Sequence, residues 1–368
     1  MRNKNIVLFS SGISEQNGIL TALDTALEQR GYTCEYWRGL FANANDLDNI
    51  ALLPMLIKKI PTFDYAVLIC EGHDTTVMQR KGKTETVHTM RDNVLFEIGL
   101  SVMALGPART ILVTDTSVRL PDDLTGLHQE PAVKQIVYRG DDRHSWHSAG
   151  EQLAFYLDSM TAVSAQIGAY IETTGSVLSP VVIGAASSTA CGYVSNFVFR
   201  TLEHIEDGIE TDGSGQLLRC PMEKIYMHIL LPQSFGNDTS QKARTYLSRY
   251  ERGRIPTARN RAAEFNFDRR GDELHIIDFP TTLVTSYDTA RMILDLDADD
   301  AADPLASERF TAKELNLYEA TLRHLLSEPY LTQVLQEQYP SLPPQALGAM
   351  KEKILDVLQH RFSIETFS

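Results

Sequence analysis

The chain has 368 residues, of which 43% are hydrophobic and 22% charged, with a formal net charge of −14. That length accommodates two domains of ordinary size, each with its own core, and the acidic balance argues against general nucleic-acid binding. No apolar run approaches the roughly 18 residues that a membrane-spanning helix needs, and the opening "MRNKNIVLFSSG" enters a strand pattern rather than a signal peptide. Four scattered cysteines (Cys34, Cys70, Cys191, Cys220) include no CxxC, which speaks against a disulfide framework or a zinc site and favours the cytoplasm. The histidines, His144 and His147 among them, show no metal-ligand spacing, and no metal is expected.

In chain order, residues 5–9 read as a short buried strand, followed by the loop "SSGISEQN" and an amphipathic helix that buries Ile19, Leu20, Leu23, Ala26 and Leu27 and stops at Gly31. "TCEYW" is a second strand. "DLDNIALLPMLIKKI" is a second helix with an awkward internal Pro54. The continuous apolar run "YAVLIC" (65–70) is a strand covered on both faces. The segment 71–90 reads as a loop, leading to a helix from Asp92 to Gly106, then the strands "RTILVTD" and "KQIVYRG" and a long helix over about 145–167. Strands alternating with helices predict one doubly wound α/β domain over residues 1–165. "ETTGSVLSP" lies in a linker over 166–180, and the remainder, 181–368, changes character. It begins with a helix over about 181–206 and continues with the strand "MEKIYMHILLP". A hairpin follows, with Phe265 and Phe267 before its turn and Leu274 and Ile276 after it. Two closing helices lie near 307–326 and 344–361, so an α+β domain is expected.

Glu97 is out of place. Between Asn93 and Pro107 it is the one charged residue of an almost wholly apolar helix, with Asp92 as the expected N-cap and Gly106 as the stop. Such a helix is normally buried, and an unpaired carboxylate is expensive to bury. In a doubly wound domain the ligand crevice lies beyond the carboxyl ends of the strands, where Ser10, Ser11 and Gly12 also emerge. A carboxylate between apolar walls there is suited to breaking a glycosidic bond by stabilising an oxocarbenium-like transition state. The plainer alternative is that Glu97 points to water or pairs with Arg91.

The run "RDNVLFEIGLSVMALGPARTILV" resembles the signature of TIR-like domains in bacterial defence proteins, supported by "VLFSSG" (7–12), "YWRGLF" (36–41) and "AVLICEGHD" (66–74). The resemblance implies that Glu97 is the catalytic glutamate of an enzyme releasing nicotinamide from NAD⁺. It also implies that Asp92 and Asn93 order the helix start and that Phe9, Ser10, Ser11 and Trp37 line the pocket. Thr89 and Met90 stand where relatives often have a proline. Nucleoside deoxyribosyltransferases carry a similar glutamate as nucleophile and are the alternative enzyme class.

The second half holds a basic island: nine Lys/Arg against three acids between Lys242 and Arg270. It suits a small anionic ligand, or is simply a solvated face. Tyr193 and Phe197 fall at i and i+4 on one helix face, as a core pair or a stacking platform. Arg259 and Arg261 alternate on what reads as the first hairpin strand, and Asp278, Thr281 and Thr282 follow the returning strand. An aromatic platform, two guanidinium forks and an acid with hydroxyls suit a purine cyclic nucleotide.

The series "GYVSNF", "YMHILLP", arginine-bearing hairpin and "IIDFPTTL" resembles the cyclic-dinucleotide-binding STING domain over about 181–330. By that resemblance a homodimer holds one cyclic dinucleotide, and cyclic di-GMP is favoured. Phe197 stacks on the base with Asn196 beside it, Arg259 and Arg261 contact the ligand from a lid, and Asp278 and Thr281 read the guanine edge. A TIR-like domain followed by a STING domain is the arrangement of effectors in cyclic-oligonucleotide antiphage defence. It implies a nucleotide-activated NAD⁺ glycohydrolase that assembles into filaments, with NAD⁺ as substrate and no separate cofactor. A scaffold without catalysis is the competing class.

Overall fold

The computed structural model describes residues 4–10, 18–37, 52–80, 83–121, 124, 133–174, 185–211, 217–256, 264–294, 296, 305–326 and 344–367. The chain divides into two compact units. The first comprises Met1–Val163, Ser176–Gly184 and Thr289–Asn316, and the second comprises Ser164–Gly175, Ala185–Asp288 and Leu317–Ser368.

In the first unit, strands β1 (Lys4–Phe9), β2 (Tyr32–Tyr36), β3 (Tyr65–Cys70), β6 (Thr110–Asp115) and β7 (Lys134–Tyr138) form a sheet in the order β2-β1-β3-β6-β7. Every neighbouring pair in it is parallel. Alternate residues of the strands enter different cores. Ile6, Leu8, Val67 and Ile69 pack with α1 (Ile19–Glu28) and α4 (Arg143–Thr174), whereas Val7, Phe9, Ala66 and Leu68 pack with α2 (Leu52–Lys59) and α3 (Asp92–Leu105). Burial on both faces is why these strands read as unbroken apolar runs. Helix α1 buries Ile19, Leu20, Leu23, Ala26 and Leu27, as its spacing predicts. Pro54 sits in the first turn of α2, where a missing N–H costs nothing.

Two expectations are corrected here. The segment after β3 is not an open loop: β4 (Asp74–Arg80) and β5 (Lys83–Thr89) form an antiparallel ribbon of their own. The long helix α4 runs through Thr174, so the early part of the expected linker is helical.

In the second unit α5 (Ala185–Tyr193), a π-helical turn at Val194–Val198 and α6 (Phe199–His204) stand in place of one uniform helix. The strands are β8 (Ile209–Thr211), β9 (Leu217–Leu218), β10 (Ile225–Pro232), β11 (Glu251–Arg254), β12 (Glu264–Arg270), β13 (Glu273–Asp278) and β14 (Phe362–Phe367). They form a mixed sheet in the order β14-β10-β13-β12-β11-β8-β9. The expected hairpin is β12–β13, with Phe267 opposite Ile276 and Gly271 at φ 68° in its turn. Strand β14, which the sequence pattern does not reveal, extends the sheet beside β10. Helices α7 (Thr239–Leu247) and α10 (Pro344–His360) belong to this unit, and α8 (Thr281–Ile293) and α9 (Ala306–Leu325) are each divided between the two units. The four cysteines are unpaired, and among the described residues no helix is long and apolar enough to cross a membrane.

Candidate functional site

Arg91, with extended backbone (φ −64°, ψ 146°), is the N-cap of α3, and Asp92 is its first helical residue. The expected N-cap thus shifts by one position. Asp92 instead places a carboxylate in the first turn, where the helix dipole favours negative charge. Gly106, at φ 85°, closes the helix with its N–H donated to the Val102 carbonyl at 3.0 Å. The helix is not buried all round: Leu95, Phe96 and Met103 are exposed, whereas Val94, Glu97, Ile98, Ser101, Ala104 and Leu105 face inward.

Glu97 therefore lies on the packed face, 8% exposed. It makes no hydrogen bond or ion pair to another described residue, Arg91 included. Burial alone pushes its carboxyl up to about 7, because the anion loses solvation without gaining a donor. An acid poised near neutrality between apolar walls can hold its charge while positive charge develops at a neighbouring sugar carbon.

Of the residues expected around it, Phe9 is fully buried in the same apolar cluster as Val94 and Ile98, and Trp37 packs against that cluster. The Trp37 indole N–H donates to the Ser10 carbonyl at 3.1 Å, tying the end of β1 to the chain leaving β2. Asp92 and Asn93 are exposed at the helix start, and Ser11 lies outside the described residues. A second buried acid escapes the sequence reading. Glu71, directly after β3, accepts from the Tyr138 hydroxyl at 3.3 Å and pairs with His73 at 3.2 Å. An acid terminating a wholly apolar strand is the signal that marks it. A cleft of about 700 Å³ between α1 and α4, lined by Gly18, Thr21, Trp146 and His147, holds none of these residues.

In the second unit an open cavity of about 570 Å³ is lined by Arg244, Arg252, Gly253, Arg254, Asn266, Asp278 and Thr281, among others. Asp278 ends β13 and Thr281 begins α8, so the turn between them delivers both. Burial raises the Asp278 carboxyl to about 6, while the Tyr193 hydroxyl, donating at 2.7 Å, and the Phe279 N–H hold it lower than burial alone would. Tyr193 stacks on Phe197 with ring centroids 5.1 Å apart. Both rings are largely buried, at the π-helical turn, a distortion frequent at functional positions. The i,i+4 pair is thus core and is wired to the cavity acid at once. Phe197 and the exposed Asn196 do not themselves line the cavity.

Arg259 and Arg261 lie outside the described residues. In sequence they fall between β11, which ends at Arg254, and Glu264, where the described residues of β12 begin. Among the described residues, the arginines that line the cavity come from α7 and β11. Arg254 is paired with Glu210 at 2.7 Å, whereas Arg244 and Arg252 have no ion-pair partner among the described residues. At Gly253 a Cβ would lie 2.6 Å from Ile209 and 3.0 Å from Phe267, so glycine is required for β11 to sit against the wall.

Comparison with known proteins matches residues 7–133 to the family model "CAP12/Pycsar effector protein, TIR domain" and residues 185–323 to "Prokaryotic STING domain". CD-NTase-associated protein 12 of Sphingobacterium faecium is 24% identical, over 87% of this chain and 93% of its own. The protein of the same name from Flavobacterium daejeonense is 25% identical, over 68% and 73%. Pycsar effector protein PaPycTIR of Pseudomonas aeruginosa is 35% identical over 30% of this chain and 33% of its own. A solved bacterial STING in complex with c-di-GMP covers 50% of this chain and 95% of its own at 19% identity, with a TM-score of 0.34, too low to bear on the fold or the ligand. Residues 7–133 therefore belong to the CAP12/Pycsar TIR-domain family and residues 185–323 to the prokaryotic STING family, and this chain joins the two in one polypeptide.

Proposed function

We propose that the chain is a cyclic-dinucleotide-activated NAD⁺ glycohydrolase, an antiphage effector of the cytoplasm that depletes NAD⁺. The observation that carries this reading is the Glu97 carboxylate, buried without a partner among the described residues and pushed up to about 7 by that burial, inside a domain with relatives named effector proteins. A scaffold has no use for such a group, which costs stability wherever it is ionised.

In the reaction the bond between the ribose anomeric carbon and the nicotinamide nitrogen breaks, and nicotinamide leaves as a neutral base with the bonding electrons. The Glu97 carboxylate offsets the positive charge that develops on the sugar, and water completes the reaction to ADP-ribose and a proton. Phe9 and Trp37 keep the site apolar, Ser10 and Ser11 approach the ligand with hydroxyl and backbone N–H groups, and Asp92 and Asn93 order the helix start.

Cyclic di-GMP is the proposed activator. Asp278 accepts from the guanine amine and Thr281 contacts the base edge, while Phe197 and Asn196 support stacking. Arg259 and Arg261 close over the phosphates, joined by Arg244 and Arg252. Binding by two copies favours a dimer and then a larger assembly or filament in which catalysis switches on. Moving such an equilibrium from 1:99 to 99:1 needs about 5.5 kcal/mol of differential binding. Glu97→Gln should abolish nicotinamide release while leaving cyclic di-GMP affinity intact. A mutant that still releases nicotinamide would refute the assigned role, and a wild-type protein that binds the nucleotide without ever cleaving NAD⁺ would leave a scaffold.

A further inference from the structure

The β4–β5 ribbon stands apart from the parallel sheet, as a two-stranded sheet of its own. Its strands are joined by a two-residue connection, with Arg80 opposite Lys83. In such a hairpin the residues flanking the turn form a hydrogen-bonded pair, and the pairs then alternate along the ribbon. Asp74, Thr76, Met78 and Arg80 therefore direct their backbone groups inward to β5, and Thr75, Val77 and Gln79 direct theirs outward. The outer edge of β5 is partly covered, because Arg119 donates its N–H to the His88 carbonyl and His88 bridges to Val118. The outer edge of β4 has no strand beside it among the described residues.

An open, regular strand edge is a template for another strand, and proteins normally blunt one with a charge, a proline or a bulge. The middle of β4, Thr75–Gln79, has none of these, and Val77 at its centre is 65% exposed. The sequence of β4 is also complementary to itself. Turned antiparallel about Val77, Thr75 falls opposite Gln79 and Asp74 falls opposite Arg80. The register of its own ribbon instead places Arg80 opposite Lys83.

We propose that β4 pairs with β4 of a second copy of this chain, antiparallel about a two-fold axis at Val77, joining two ribbons into one four-stranded sheet. Roughly six main-chain hydrogen bonds form across the axis, with Val77 against Val77 and an Asp74–Arg80 pair at each end. The contact is isologous. The ribbon lies in sequence directly between Glu71 and the helix carrying Glu97. The inference deepens the assembly step proposed above by naming one of its surfaces, and its test involves no NAD⁺.

The test is cross-linking of the full-length chain through engineered cysteines under mild oxidation, with and without cyclic di-GMP. At a hydrogen-bonded antiparallel pair the Cα atoms lie about 5.5 Å apart, within disulfide range. Val77→Cys should therefore give an inter-chain disulfide at roughly ten times the yield of Thr86→Cys, its neighbour across the ribbon on the exposed face of β5. Adding Asp74→Arg to Val77→Cys should suppress the cross-link, and adding Arg80→Asp as well should restore it, since the exchanged charges again meet across the axis. Restoration also shows that the single swap did not merely unfold the ribbon. Equal yields from the two cysteine positions in both conditions, or no recovery in the double swap, would overturn the proposal.

Discussion

Glu97 is a buried acid and Asp278 a half-buried one, one in each unit, and desolvation raises both, to about 7 and about 6. Their surroundings differ. Asp278 receives the Tyr193 hydroxyl at 2.7 Å and a backbone N–H, so part of its acceptor capacity is already used and its direction is fixed. Glu97 receives nothing from the described residues around it. A carboxylate that is held suits recognition, where orientation discriminates among ligands. A carboxylate left without a donor suits catalysis, where the group must respond to charge that appears only in the transition state.

The largest expected effect probes the poised member. If ionised Glu97 carries the chemistry, nicotinamide release should rise through an apparent pKa near 7 and be about 100-fold slower at pH 5 than at pH 8. A flat profile over that range would separate catalysis from Glu97. Next, Asp278→Ala should weaken cyclic di-GMP binding by at least roughly tenfold, measured calorimetrically, because a hydrogen bond to a charged group is worth about 1.5–3 kcal/mol. The maximal rate at saturating nucleotide should not change. An unaltered affinity would remove Asp278 from the binding site.

Stability gives a third test. Because the Glu97 carboxyl is raised from 4.5 to about 7 on folding, its favourable contribution is complete below pH 4.5 and is lost as pH rises through 7. Glu97→Gln should therefore raise Tm at pH 8, by up to about 3 kcal/mol in stability, with the gain shrinking toward pH 4.5. The smallest effect is at Tyr193. Tyr193→Phe removes a donor that favours the charged acid, so the Asp278 carboxyl should titrate above 6 in NMR spectra of its side chain, with only a few-fold change in ligand affinity. A downward shift would mean that the hydroxyl does not serve Asp278.

The two regions were unequally legible in the sequence. Unbroken apolar strands, the spacing of Ile19 to Leu27 and one acid in an apolar helix identify the parallel-sheet unit and Glu97, because each is a local pattern. The second unit depends on distant pairings. Strand β14 gains its meaning only beside β10, more than a hundred residues earlier. Arg252 reads as one more charge in a basic island until β11 pairs with β12 and turns it to the cavity. The ribbon was missed for a related reason: Thr75, Thr76, Thr84, Glu85 and Thr86 are exposed on both faces, so no apolar alternation announces the strands. Tyr193 and Phe197 form a buried stacked pair, as the core reading has it, and the Tyr193 hydroxyl tethers Asp278.

The most direct measurement is the rate of nicotinamide release from NAD⁺ by the purified chain as cyclic di-GMP is titrated in. The account predicts a negligible rate without nucleotide and a saturable rise with it. The same rate at every nucleotide concentration, or no release even at saturation, would contradict it.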